Sequence, residues 1–130
     1  MKPSSRRRSS PASLESYDLA RIVAEAALAM KAEDVVIINV GEQVNYTDYF
    51  VIASGRSTRQ AQAIAENIQK AIHQHHSRPI GVEGERDGNW VLIDWGGVIA
   101  HVFHHPVRKF YDIEHLWGEG ERIEVAEEGK

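Results

Sequence analysis

The stretch Asp48–Gln60, with the sequence DYFVIASGRSTRQ, most constrains what this chain can fold into. Its run Tyr49–Ala53 is apolar, aromatic and β-branched, which is typical of a strand covered on both faces. Gly55 permits a sharp turn, and Ser57 with Gln60 has the spacing of a capping box at the start of a helix. The stretch therefore predicts a strand and a helix packed against each other, with the remaining elements around them.

Three segments have the features of helices that bury one face. The first spans Tyr17–Lys31, the second runs from Ser57 to about His75, and the last runs from Pro106 to Gly118. The predicted buried positions are Leu19, Ile22, Val23, Ala26, Ala27 and Met30 in the first helix, and Ala61, Ile64, Ala65, Ile68, Ala71 and Ile72 in the second. The packed side of the last helix is expected to consist of Val107, Phe110, Ile113 and Trp117, with Tyr111 beside them.

Two hairpins are predicted from the remaining apolar segments. The apolar strand Asp34–Val40 is expected to pair with the strand Asp48–Ser54 across a short polar connection. Asn89–Phe103 is expected to form a second hairpin around two adjacent glycines, which are a strong turn signal. Residues 77–88 are predicted to form a loop that includes one short edge strand. The sequence therefore predicts an α/β fold, with a mixed β-sheet and packed helices.

One face of the second hairpin carries an unusual mixture of side chains. With Gly96-Gly97 as the loop, cross-strand pairing and alternation place six side chains on this face, namely Trp90, Leu92, Asp94, Ile99, His101 and Phe103. A purely structural face does not need the acid and the histidine. We therefore expect a partner to contact this face.

Composition and charge narrow the class of partner. The 130 residues favour one domain, and the absence of cysteine excludes disulfides and thiolate metal sites. Residues 17–117 contain nine basic and thirteen acidic side chains, a net charge of −4. Because proteins that grip nucleic acids need a basic face, this domain favours a protein partner, with no direct contact to DNA. No apolar run is long enough to cross a membrane.

The two ends of the chain differ from this domain in composition. Residues 1–16 are rich in serine and arginine and are interpreted as a disordered basic tail. An organelle transit peptide and a basic arm that contacts RNA are the alternatives, and the missing apolar face disfavours the first. Residues 119–130 are interpreted as a mobile acidic tail. The central part, residues 17–118, is the predicted α/β domain.

The sequence offers weak candidates for catalysis or metal binding. Ser54-Gly-Arg-Ser57 at a helix start could hold a phosphate, but capping alone explains these residues. A nucleotidyltransferase would need a pair of carboxylates on nearby strands, and Asp94 has no acidic neighbour at that spacing. The seven histidines lack the spacing of a closed metal site. The prediction is a protein with no catalytic residue, no metal and no cofactor, and a nucleotide-binding enzyme is the alternative.

A set of motifs in order along the chain resembles the ribosomal silencing factor family, RsfS, also called the Iojap family. These motifs are Asp48-Tyr-Phe-Val-Ile, Ser54-Gly-x-Ser-x-Arg59-Gln60, Glu83-Gly84, Trp90 with Asp94, His101-x-Phe103, Arg108-x-Phe-Tyr111 and Glu114-x-Leu-Trp117. The resemblance covers about residues 17–118. It implies an α/β domain like the nucleotidyltransferase fold but without catalysis.

The resemblance also implies a function and a set of partners. Such proteins bind the large ribosomal subunit through its fourteenth protein and sterically block joining of the small subunit, chiefly under nutrient limitation. The resemblance further implies a homodimer in the free state and, for a bacterial member, a cytoplasmic location. The expected partner-binding residues are Trp90, Asp94, His101, Phe103, Arg108 and Tyr111.

Overall fold

A computed structural model describes residues 15–118 and 120–125. In chain order the elements are α1 Ser16–Ala29, β1 Glu33–Asn39, β2 Tyr49–Gly55, α2 Thr58–His73, β3 Gly81–Glu83, β4 Trp90–Asp94, β5 Val98–His104, α3 His105–Tyr111, α4 Ile113–Leu116 and β6 Arg122–Glu124. The six strands form one sheet in the order β3-β4-β5-β2-β1-β6. β2 and β5 are parallel and all other neighbours are antiparallel, so the predicted mixed α/β sheet is confirmed.

The sheet separates two apolar clusters. α1 and α2 cover one face, and the larger cluster lies between them and the sheet. Four predicted positions of α1 and five of α2 are buried, while Ile22, Met30 and Ala71 are partly buried and pack against this cluster. The opposite face carries a smaller cluster that includes Phe50, Phe103 and Ile113. Among the described residues, the only helices that contribute to this second cluster are the short α3 and α4, so much of the face lies outside a helical layer.

Both predicted hairpins are present in the predicted arrangement. β1 pairs with β2, and β3 is the short edge strand expected between residues 77 and 88. In the β4–β5 pair, Trp90 lies opposite Phe103, Leu92 opposite His101 and Asp94 opposite Ile99. This register confirms that the two-glycine turn and the alternation of side chains define which residues share a face.

The prediction of one continuous last helix is wrong. α3 ends at Tyr111, because Asp112 adopts a left-handed conformation with φ 45°, and α4 starts at Ile113. Ile113 of α4 is buried, whereas Phe110 of α3 is 79% exposed. Phe110 was predicted on the packed side from helical spacing. Within α3 the buried residue is Arg108, and Phe110 lies two positions further along and therefore on the opposite side of the helix.

The prediction of a mobile acidic tail is wrong for the segment that forms β6. This strand pairs with β1, with Ile37 opposite Ile123, and therefore extends the sheet beyond the predicted domain boundary at Gly118. Glu119, residues 126–130 and the first fourteen residues of the predicted basic tail lie outside the described part of the chain.

Candidate functional site

Four aromatic rings lead from the second core cluster to the surface. The ring of Phe103 on β5 is fully buried and lies 4.8 Å, centroid to centroid, from the ring of Trp90 on β4. Tyr111, at the end of α3, packs its ring 5.0 Å from Trp90, and Phe110 meets Tyr111 edge to face at 5.0 Å. Trp90 is half-buried, whereas Tyr111 is 52% exposed. We call Trp90, Phe110 and Tyr111 the aromatic patch.

His101 lies beneath this patch rather than on the surface. Only 6% of the residue is exposed, and its Nδ1 atom accepts a hydrogen bond of 3.1 Å from the Trp90 indole. The ring of Phe50 contacts it edge to face at 4.8 Å. Burial lowers the pKa of His101 from 6.5 to about 4, because a charged imidazolium would lose its hydration there. The side chain is therefore neutral near pH 7.

Asp94 closes the turn of the hairpin. Its Oδ1 atom accepts a hydrogen bond of 2.8 Å from the backbone N–H of Gly96, two residues later. This arrangement is a common use of aspartate in turns, and it satisfies one backbone donor of the turn. The residue as a whole is half-buried.

Arg108 is an anchor of α3 inside the protein. Its guanidinium donates hydrogen bonds to Ser54 on β2 and to the carboxylate of Glu114 on α4, and only 7% of the residue is exposed. Arg122 on β6 donates to the second oxygen of Glu114 at 3.0 Å. Burial by itself raises the pKa of Glu114, but the hydrogen bonds and charges of Arg108 and Arg122 outweigh it and hold that pKa below its ordinary value. Glu114 is therefore ionised and joins three elements of the fold.

The structure divides the six predicted partner-binding residues into two groups. Trp90, Asp94 and Tyr111 present surface to the solvent. His101, Phe103 and Arg108 are buried, and their side chains offer almost no area for direct contact. Alternation had correctly placed the hairpin residues on one face, but it could not reveal that α3 covers part of that face. The partner contact itself remains a prediction.

Two exposed apolar residues were missed as candidates. Phe110 is 79% exposed, and Leu116 on α4 is 68% exposed. Helical spacing had assigned Phe110 to the core, and Leu116 was noted only as part of the Glu114-x-Leu-Trp117 motif. The available signal was the adjacency of Phe110 and Tyr111, since two neighbouring residues of a helix cannot both face the same narrow stripe.

The turn between β2 and α2 is accounted for by capping. Ser57 Oγ accepts the Gln60 N–H at 3.0 Å, which confirms the predicted N-cap. The Gln60 side chain accepts from the backbone N–H of Arg56 rather than Ser57, and it donates to the carbonyl of Met30 at 3.2 Å. These bonds occupy two of the backbone N–H groups at this helix start, those of Arg56 and Gln60.

Residues 15–118 and 120–125 contain neither a cluster of metal ligands nor a helix that could span a membrane. No group of three or more histidine, aspartate or glutamate side chains is placed to hold a metal ion there. The helices of this described part are all too short or too polar to cross a bilayer.

Comparisons with known proteins agree on one family. Residues 13–130 match the family model described as "Ribosomal silencing factor during starvation". The chain is 35% identical over 112 residues to a protein of Halalkalibacterium halodurans named ribosomal silencing factor RsfS, covering 86% of this chain and 96% of that protein.

A mouse protein and a solved structure extend this likeness. The mouse protein, named mitochondrial assembly of ribosomal large subunit protein 1, is 36% identical over 90 residues, which cover 66% of this chain and 39% of that protein. A crystal structure from Chromobacterium violaceum superposes with a TM-score of 0.79 at 30% identity, covering 90% of this chain and 98% of that one. The names describe regulatory and assembly factors of the ribosome rather than enzymes.

Proposed function

This chain belongs to the ribosomal silencing factor family, and on that premise we propose that it represses translation by binding the large ribosomal subunit. The bound protein occupies the face where the small subunit docks, and it blocks subunit joining by steric exclusion, chiefly under nutrient limitation. The proposed contact on the ribosome is the fourteenth protein of the large subunit. The bacterial relative is named for silencing and the mouse relative for assembly of the large subunit, which supports the large ribosomal subunit as the partner.

The observation that carries the proposal is the aromatic patch. Phe110 and Tyr111 expose 79% and 52% of their surface, and both lie on α3, one of the two short helices that contribute to the second core cluster in the described part of the chain. Exposed aromatic side chains in contact with one another are typical of protein interaction sites, because they supply large apolar area at a small cost in conformational entropy. A steric block needs such a contact surface and needs no reactive group.

Charge supports a protein of the ribosome as the direct partner. Residues 17–117 carry a net charge of −4, which disfavours ribosomal RNA and favours a basic protein surface. Asp94 is a half-buried acid on the same face of β4 as the patch residue Trp90. We propose direct contact through Trp90, Asp94, Phe110 and Tyr111, with Leu116 at the margin. His101, Phe103 and Arg108 then act from behind this surface.

Co-sedimentation with separated ribosomal subunits tests the proposal. The purified protein is mixed with each subunit and run on a sucrose gradient, and it is expected to migrate with the large subunit only. Added before the subunits are combined, it should reduce the fraction of joined ribosomes. Sedimentation at the top of the gradient contradicts the proposal. If the protein binds the large subunit and the fraction of joined ribosomes does not fall, steric exclusion is contradicted and binding to the large subunit stands.

The state of the free protein is a separate part of the proposal. We propose a homodimer in the bacterial cytoplasm that dissociates when it binds the ribosome. Sedimentation equilibrium between low and high micromolar concentration measures the mass of the free protein against the 14.6 kDa of one chain. A mass that stays at one chain throughout this range contradicts the dimer and leaves the ribosome proposal unaffected.

A further inference from the structure

The hydrogen bond between Trp90 and His101 joins two neighbouring strands beneath the aromatic patch. Trp90 lies opposite Phe103 in the β4–β5 register, so His101 is its diagonal neighbour on the same face. The Trp90 Nε1 atom is 3.1 Å from His101 Nδ1, which is an ordinary hydrogen-bond length. The bond is therefore part of the sheet face itself.

The direction of this bond defines the tautomer of His101. An indole N–H can only donate, so Nδ1 must be the acceptor and must carry no proton. The proton of the neutral ring consequently lies on Nε2. That atom is buried and has no hydrogen-bond partner among the described residues. A buried donor without an acceptor destabilises the fold relative to an apolar side chain of similar size.

The unpaired Nε2 donor indicates why a histidine occupies this position. Leucine or phenylalanine would fill the space without burying a donor, so packing alone does not favour histidine. What histidine supplies, and an apolar residue cannot, is the acceptor at Nδ1. The one group that uses this acceptor is the Trp90 indole.

The bond selects one orientation of the indole ring. Trp90 packs between the rings of Phe103, at 4.8 Å, and Tyr111, at 5.0 Å. Tilted ring contacts of this kind permit an indole to turn over, because the torsion that rotates an aromatic ring has two broad minima. The Nδ1 acceptor distinguishes these two orientations. Tyr111 packs on Trp90 and Phe110 packs on Tyr111, so a turned indole would present a different surface to both rings.

We infer that His101 is a positioning residue, which fixes the Trp90 indole through Nδ1 and thereby sets the geometry of the aromatic patch for the large ribosomal subunit. The inference rests on the proposed function for its ribosomal part. The fixation of the indole is a property of the free protein and can be measured without a ribosome.

Two matched variants separate the acceptor from the packing. In His101→Asn the amide oxygen is bonded to Cγ, as Nδ1 is in histidine, so it can accept from the indole. His101→Leu has the same branching and no acceptor. Hydrogen exchange of the Trp90 indole N–H is followed by NMR, with its signal assigned by its loss in Trp90→Phe. We expect the indole N–H to exchange about tenfold faster in His101→Leu than in His101→Asn or the unchanged protein. A change of about tenfold is the effect of losing one modest hydrogen bond.

Binding to the large subunit is then compared in the same proteins. His101→Asn is expected to bind within about threefold of the unchanged protein, and His101→Leu about tenfold more weakly. Equal binding by the asparagine and leucine variants, or slow indole exchange in His101→Leu, would overturn the inference. If the unchanged protein does not bind the subunit, the proposed function fails, and indole exchange still decides whether His101 holds Trp90.

A double-variant cycle covers the case in which His101→Leu is poorly folded. Trp90→Phe keeps an aromatic ring against Phe103 and Tyr111 but removes the indole donor. The second substitution is His101→Phe, which also lacks an acceptor. If the bond is the cause, His101→Phe weakens binding about tenfold in the unchanged protein but changes it no more than about twofold when added to Trp90→Phe, within the accuracy of additivity. A further large loss of binding in this double variant would show that His101 acts by another route and would overturn the inference.

Discussion

Ser54 and Arg108 are 54 positions apart in the sequence, and the Arg108 guanidinium donates a hydrogen bond of 2.8 Å to the Ser54 hydroxyl inside the protein. Ser54 is fully buried at the end of β2, and Arg108 lies on α3. The same guanidinium is paired with Glu114, which is in turn paired with Arg122. One connected set of polar groups therefore links α3 and α4 to two strands of the sheet, β2 and β6.

Replacing Arg108 by methionine should destabilise the protein. The side chain keeps similar length, but Ser54 loses its buried donor and Glu114 retains only Arg122. We expect the free energy of unfolding to fall by about 2–4 kcal/mol in urea titrations, because the buried Ser54 hydroxyl loses its donor and the half-buried Glu114 carboxylate loses one of its two cationic partners. Arg56→Met is the matched control, since the Arg56–Glu33 pair is exposed and its loss should cost about 0–1 kcal/mol. Equal losses would contradict the role assigned to Arg108.

Replacing Gly84 by alanine should displace the edge of the sheet beside Trp90. Gly84 has φ +84°, and an added Cβ would lie 2.0 Å from the Trp90 carbonyl oxygen. We expect a loss of about 2 kcal/mol or more in the free energy of unfolding, because strain and overlap act together. Gly81→Ala is the control, since an added Cβ there meets nothing within 4 Å, and it should change stability by less than about 0.5 kcal/mol.

The stability of the protein should fall between pH 7 and pH 5 because of His101. The folded pKa of His101 is lowered to about 4 and the ordinary value is 6.5, so the unfolded chain binds the proton first. The contribution of neutral His101 to the free energy of unfolding is fully present above pH 6.5 and is lost as the pH falls toward 4. About 2 kcal/mol of it is lost by pH 5.

The His101→Asn variant isolates this contribution. Between pH 7 and pH 5 the free energy of unfolding should decline in both proteins. The decline in His101→Asn should be smaller than that in the unchanged protein, and the difference should be about 2 kcal/mol. Glu114 does not interfere, because its pKa is lowered from 4.5 and it titrates below this range. The same pH dependence in both proteins would mean that His101 is not buried in its neutral form.

Replacing Phe110 by alanine should weaken binding to the large subunit without affecting stability. Phe110 is 79% exposed, so we expect unfolding to change by less than about 0.5 kcal/mol and the dissociation constant to rise about five- to thirtyfold. Tyr46→Ala is the control, because Tyr46 is also an exposed aromatic residue, at 57%. Tyr46 precedes β2 and α3 follows β5. Since these two strands are parallel, Tyr46 and Phe110 lie near opposite ends of them. Equal effects of the two variants on binding would contradict the placement of the contact.

Several features of the fold follow from local sequence patterns, and the structure confirms them. The apolar run of β2, the capping residues Ser57 and Gln60, and the buried stripe of α2 are each defined by residues within a few positions of one another. The β4–β5 register follows from a two-residue turn, because such a turn fixes the pairing of every later residue in the hairpin. The family is likewise evident from motifs that are short and in order.

What the sequence alone could not determine is which of these side chains are covered. Alternation placed Trp90, His101 and Phe103 on one face, yet whether a residue of that face is a contact or an anchor depends on what packs over it. For Phe110 the packing of α3 decides this, because the helix buries Arg108 and leaves Phe110 79% exposed. The pairing of Arg108 with Glu114 and the addition of β6 to β1 join segments that local patterns treat separately. Local patterns assign a side chain to a face, and only contacts between elements distant in sequence determine whether that face is buried.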